Sequence, residues 1–146
     1  MQDLVALGRY LEALESPEFS AGKWAGGQET SPAVMHMHYV SYSDWTHAFL
    51  EFVYDDGWIM QDFDWPKWIA TKEARTLGAG GEAVAKATRR QLAKILTAIV
   101  RQDRFSEGEL LGAFESGLIR DVVRRAADLA NRQRTAAKST SRKGGA

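Results

Sequence analysis

The sequence predicts a mainly α fold, α+β at most: a compact bundle of about five or six helices with a small β-hairpin. Three observations predict it. Apolar residues recur at intervals of three and four at Leu4, Leu7, Leu11 and Leu14, at Trp45, Phe49, Phe52 and Val53, at Leu92, Ile95, Leu96, Ile99 and Val100, and at Ile119, Val122, Val123, Ala126 and Leu129. Capping residues and glycines punctuate those runs. One stretch, 34–42, instead alternates and is rich in β-branched and aromatic residues.

Taken in order, the leucine stripe from Leu4 to Leu14 predicts one helix, ended by Ser16 and Pro17. Residues 18–33 hold Gly, Ser and Pro without a period and read as loop, pinned by Phe19 and Trp24. The strand at 34–42 follows. Ser43 caps a helix over 44–55, and Gly57 stops it. Residues 57–63 are the expected partner strand of the hairpin. Pro66 suits a first helical turn, because its missing N–H would have no intrahelical partner there, so a helix is expected over 66–76. The run LGAGGE at 77–82 breaks the chain, and 83–87 fits either loop or helix.

Thr88 and Gln91 have capping-box spacing and open a helix over 89–101. Ser106 and Glu109 repeat that spacing before Leu110, Leu111 and Phe114. Gly117 separates this short helix from a last one. Residues 1–133 are expected to form one globular domain. Residues 134–146, small and basic without an apolar period, are expected to be a disordered basic tail.

A chain of 146 residues is long enough to bury a sizeable core. It has no cysteine, which excludes disulfides and thiolate chemistry and fits a cytoplasmic location. No apolar run approaches the roughly 20 residues of a membrane span, so no membrane partner is expected. The net charge of zero conceals an asymmetry. Residues 1–75 carry twelve acidic and five basic side chains, and residues 76–146 carry seven and fourteen. Either the two halves attract one another or the second offers a basic face to a polyanion.

Several motifs carry a resemblance. FDW at 63–65 with Trp68, then Gln91 to Leu110 in the pattern QLxKxLTxxVRxDRFxEGxL, then Phe114, Gly117 and Ile119, resemble an uncharacterised family of small bacterial and phage proteins described only as a domain of unknown function. The resemblance spans roughly residues 10–130 and departs from the family at the Gly/Ala-rich linker 77–87. It implies one compact domain and brings no activity, cofactor or catalytic residue with it.

Four groups of residues are candidates for function. Arg101, Asp103, Arg104 and Glu107 set two cations and two anions at a helix corner. They read as an anion or partner clamp, or as an ion-pair network that ties the turn down. Trp58, Phe63, Asp64, Trp65 and Trp68 read as an aromatic surface or as core, with Asp64 as a helix cap or a buried acid. Arg120, Arg124, Arg125, Arg132 and Arg134 line the last helix, which follows the short one as in a helix-turn-helix, and form a candidate nucleic-acid face interrupted by Asp121 and Asp128. His36 and His38 share one side of the predicted strand but lack further ligands beyond His47 and Asp44. No metal and no cofactor is expected.

Phosphate-loop, dinucleotide, nucleophile-elbow and zinc-finger signatures are all missing from the sequence. The expected function is therefore a small non-enzymatic protein-binding or regulatory protein, and the family resemblance implies a phage or mobile-element setting for it. The alternative is DNA or RNA binding by the basic C-terminal helix pair. A third reading is a small enzyme with an unrecognised site at Asp64, His36 or Glu107.

Overall fold

Asp3 opens the first helix by accepting the backbone N–H groups of Val5 and Ala6 at 2.9 and 3.1 Å, a capping arrangement that satisfies two of the free donors of a helix start. That helix, α1 (Leu4–Gly8), is short, and α2 (Leu11–Glu15) follows after a turn. The single helix expected from the leucine stripe is thus two. Gly8 lies where a Cβ would come within 3.0 Å of the Ala127 backbone, so α1 ends in close contact with the last helix. The turn sends Tyr10 among Trp45, Phe49 and Phe52, with ring centroids 5.1–5.6 Å apart. In the computed structural model, residues 2–26, 29–31, 34, 35 and 38–144 are described.

The strand expected at 34–42 is present in two pieces, but its partner is not 57–63. Strand β1 (Gly22–Ala25) pairs antiparallel with β4 (Tyr39–Tyr42), from Gly22↔Tyr42 to Ala25↔Tyr39. Between them, β2 (Glu29–Ser31) and β3 (Val34–Met35) pair Glu29 with Met35 in the same register. The partner strand sits in the segment expected to be loop. Its sequence, GKWA, does not alternate, and Gly22 is required by packing: a Cβ there would stand 2.5 Å from the Ser41 carbonyl oxygen. The segment 58–60 has no need of a strand partner. The buried Thr97 hydroxyl accepts from Met60 N–H at 3.0 Å and lies 3.1 Å from the Trp58 carbonyl.

Helix α3 (Asp44–Asp55) has the expected Ser43 cap, and Gly57 at φ +80° turns the chain out of it. The helix expected over 66–76 is divided into α4 (Trp65–Trp68) and α5 (Lys72–Gly78). Thr71 divides them, since its hydroxyl donates back to the Trp68 carbonyl at 2.6 Å while accepting from Ala74 N–H at 3.2 Å. A single turn, α6 (Glu82–Ala85), follows the glycines.

Helix α7 (Arg89–Asp103) starts in the expected capping box, with Gln91 N–H on Thr88 Oγ1 and Thr88 N–H on Gln91 Oε1. Helix α8 (Glu109–Glu115) and α9 (Leu118–Gly144) are separated at Gly117, φ +87°. Where disorder is expected over 134–146, the backbone stays helical to Gly144; Ala136, Ala137 and the long straight side chains around them are good helix formers.

The core lies between α9, α7 and the N-terminal helices. Leu7, Phe49, Val53, Trp58, Leu92, Leu96, Ile119, Val122 and Val123 are fully enclosed there. Each such aliphatic or aromatic side chain stabilises the fold by roughly 1.5–3 kcal/mol through burial. The chain is mainly α with a small antiparallel β element. Among the described residues no helix is long and apolar enough to cross a membrane.

Candidate functional site

The corner between α7 and α8 gathers the four charges of the RQDRFSEG segment, but it does not pair them. Among the described residues, no ion pair joins Arg101 or Arg104 to Asp103 or Glu107. Both acids are spent on the backbone. Asp103 Oδ1 accepts from Gly108 N–H and Leu110 N–H, each at 3.1 Å, and the Tyr42 hydroxyl donates to the same carboxylate at 3.3 Å. Glu107 Oε1 accepts from Val40 N–H at 2.7 Å. The corner therefore fastens the β-ribbon to the helices.

The expected Ser106–Glu109 capping box does not form. Gly108, in the left-handed region at φ +103°, is the N-cap of α8, and Asp103 supplies the acceptor that Ser106 would have supplied. Burial and the adjacent Asp103 charge together hold the Tyr42 phenol well above its ordinary pKa, because both disfavour a phenolate there.

The two arginines turn away from the acids. Arg104 is exposed, donates to the Tyr54 hydroxyl at 3.1 Å and stands 6.0 Å over the Tyr54 ring. Arg101 is half-buried, and its Nε makes no hydrogen bond.

The five aromatic-segment residues do not share one surface. Trp58 is core, fully buried, with its indole N–H on Asp56 at 3.0 Å. Phe63 and Trp68 tilt together at 5.8 Å, and Trp68 Nε1 donates to Glu73 at 2.8 Å. Glu73 also meets Lys94 at 3.1 Å, and these two partners hold its carboxyl below the usual carboxylate range. Asp64 caps α4 through Lys67 N–H at 3.2 Å and is exposed, so it is no buried acid.

Trp65 is half-buried, and it meets a residue the sequence reading passes over. Phe105 is 82% exposed, with its ring 6.0 Å from that of Trp65. A groove of about 550 Å³, which neither of the two lines, runs between α4, α5, α7 and α8; Ile95, Ala98 and Ile99 line it, with Trp68 and Ile69 on α4 and Gln102 on α7. The signal in the sequence was Phe105 itself, a large apolar residue that falls outside the period of either neighbouring helix.

The arginine face is broken up as well. Arg125 is nearly buried, donating to the Ala87 carbonyl at 2.8 Å and to Asp128 at 2.6 Å. Arg120 and Arg124 lie 4.0 and 3.9 Å from Asp121, Arg124 also reaches Glu15 at 3.7 Å, and Arg132 meets Asp128 at 3.1 Å. Asp121 in addition accepts Gly81 N–H at 2.9 Å. Arg134 stands apart, beside Val5, Gly8 and Arg9. His38 is exposed, and His36 lies outside the described residues. No group of three or more His, Asp and Glu side chains is placed to hold a metal ion among the described residues.

This is a mainly helical protein in which the polar residues at the α7–α8 corner and along α9 are largely engaged in its own joints. The chain belongs to a family of unknown function, DUF6508, whose model matches residues 1–132. No curated protein and no solved structure matches it. Membership in such a family agrees with the resemblance carried by the sequence motifs.

Proposed function

We propose that the protein is a non-enzymatic binding or regulatory protein, acting in the cytoplasm of a phage- or mobile-element-bearing bacterium, and that another protein seats on the Trp65–Phe105 corner and the groove beside it. The observation that carries this reading is the exposure of Phe105. A phenylalanine left 82% in water, its ring tilted 6.0 Å from that of a tryptophan and one helical turn beyond a residue that lines the groove, Gln102, loses little to the fold if it is removed and gains from being covered. The charged residues nearby support it from the other direction. Asp103 and Glu107 are engaged with backbone donors and Asp64 with a helix start, so each of these three carboxylates has a structural task.

The test is the variant Phe105→Ser, compared with the parent protein for the proteins that co-purify with each from the native cell. The expected result is an unchanged melting temperature and the loss of a partner that the parent retains. Identical sets of co-purifying proteins from a folded variant would overturn the reading.

A further inference from the structure

We infer that Arg101 and Arg104, at the end of α7, bind an acidic segment of a partner protein, in which carboxylates flank an apolar side chain that covers Phe105; this rests on the reading of the corner as a protein-binding surface. The α7–α8 corner sorts its charges by side. Its acids serve the ribbon and the start of α8: Asp103 takes the Tyr42 hydroxyl and the N–H groups of Gly108 and Leu110, and Glu107 takes Val40 N–H. Arg104 points another way, to the Tyr54 hydroxyl on α3, and Arg101, three residues earlier, shares its side of the helix. The acids have partners and the cations have no counter-ion. Among the described residues neither Arg101 nor Arg104 makes an ion pair. Arg101 is half-buried, and its Nε is enclosed without an acceptor. A cation held this way has given up hydration and received no opposite charge in return, and an incoming carboxylate would supply it.

The two cations and the bare ring adjoin. Arg101, Arg104 and Phe105 stand at intervals of three and four, which on a helix sets side chains next to one another. Arg104 closes α7 with helical dihedrals, φ −66° and ψ −28°, and Phe105 N–H donates to the Gln102 carbonyl at 3.0 Å, so the turn carries on through Phe105. This pairing of features selects the occupant. A guanidinium offers a planar fork of donors that fits a carboxylate, and an uncovered phenyl ring fits an apolar side chain. A nucleic acid suits the site less well. Exposed Asp55 follows Tyr54 in the chain and exposed Asp64 precedes Trp65, so acids frame the arginines and Phe105. They would repel a continuous phosphate backbone, whereas one or two carboxylates need only the two arginines. The apolar contact then supplies most of the affinity and the charges select which segment binds.

The experiment is a selection of random short peptides on the immobilised pure full chain, read by sequencing what is retained. The parent is expected to enrich peptides with Asp or Glu within a few residues of a large apolar side chain. The variant Arg101→Gln with Arg104→Gln is expected to retain apolar peptides without the acidic preference. Arg104→Glu alone, at an exposed position where the fold is not at stake, is expected to weaken that preference too. The most enriched peptide, synthesised, is expected to bind the double Gln variant about tenfold more weakly than the parent, as the loss of a charge-assisted hydrogen bond implies, and to bind the parent less tightly as salt is raised. No acidic enrichment by the parent overturns the inference, as does the same enrichment by Arg104→Glu and the double Gln variant. Tighter binding of a labelled oligothymidylate than of the peptide at equal charge overturns it in favour of a nucleic acid. The two readings are separable. A cellular partner lost on Phe105→Ser but kept by the double Gln variant leaves the protein-binding corner in place and removes the acidic segment.

Discussion

At the scale of single residues, Asp103 does the most. One carboxylate supplies the cap of α8, holds the positive-φ Gly108 in place and receives the Tyr42 hydroxyl from the ribbon. Asp103→Ala removes all three bonds and leaves two backbone donors without that acceptor. It is expected to lower stability by about 2 kcal/mol, a loss of several degrees in melting temperature by calorimetry. Arg104, exposed and bonded only to Tyr54, is expected to be nearly neutral on replacement by Ala, within about 0.5 kcal/mol. An ion-pair network at the corner would have required the opposite ranking.

Tyr42 adds a pH dependence. Its native pKa is raised, chiefly by burial and then by Asp103, so the folded chain keeps this proton after the unfolded chain, near pH 10, has begun to lose it. The associated stability is present below about pH 10 and declines as the pH rises further. Tyr10 is shifted in the same direction by burial. In alkaline titrations of thermal stability, Tyr42→Phe should therefore show a shallower decline than the parent, though not a flat one.

At the scale of elements, the joints depend on side chains that the hydrophobic pattern does not distinguish. Thr97 occupies a core position of α7 and is fully buried. Its hydroxyl lies 2.7 Å from the Ala93 carbonyl and 3.1 Å from the Trp58 carbonyl, and accepts from Met60 N–H at 3.0 Å. Thr97→Val preserves shape and strands the Met60 donor, so it is expected to cost about 1–3 kcal/mol, measured by denaturant unfolding. A stability equal to or above the parent's would refute the idea that Thr97 replaces a strand partner for 58–60.

The same bond explains why the hairpin could not be located in advance. An alternating run shows that a strand forms at 39–42; it does not say which backbone offers the matching ladder. Gly22 and Lys23 bear no strand signal, because the close approach at Gly22 excludes a side chain. The capping boxes were more legible. The Thr88–Gln91 box formed because both partners are local to the helix start, whereas the Ser106–Glu109 box gave way to an acceptor from the preceding helix.

At the scale of the whole molecule, the charge asymmetry of the sequence is not resolved by pairing the two halves across a broad face. Among the described residues the ion pairs between them are Glu73 with Lys94 and Glu15 with Arg124, while the contact that joins the halves is mainly the shared apolar core. In the sequence the surplus cations fall after Asp128, at Arg132, Arg134, Lys138, Arg142 and Lys143. Ending the chain after Gln133 is expected to move the melting temperature by less than about 2 °C, since every described side chain from Arg134 to Ala137 is exposed. A large drop in melting temperature would show that the end of α9 is part of the core after all.

The sequence by itself determined the mainly α class, the helix over 44–55 and the one expected over 89–101 with their caps, the stop at Gly117 and much of the helical core, because periodicity and capping are local and need only neighbours within a turn. Tertiary structure alone decided which strand meets 39–42, that Trp58 is core while Phe105 is bare, and that Asp103 and Glu107 hold backbone rather than arginine. Those outcomes depend on groups as much as 67 residues apart competing for the same acceptor or the same volume, and no local pattern records who wins.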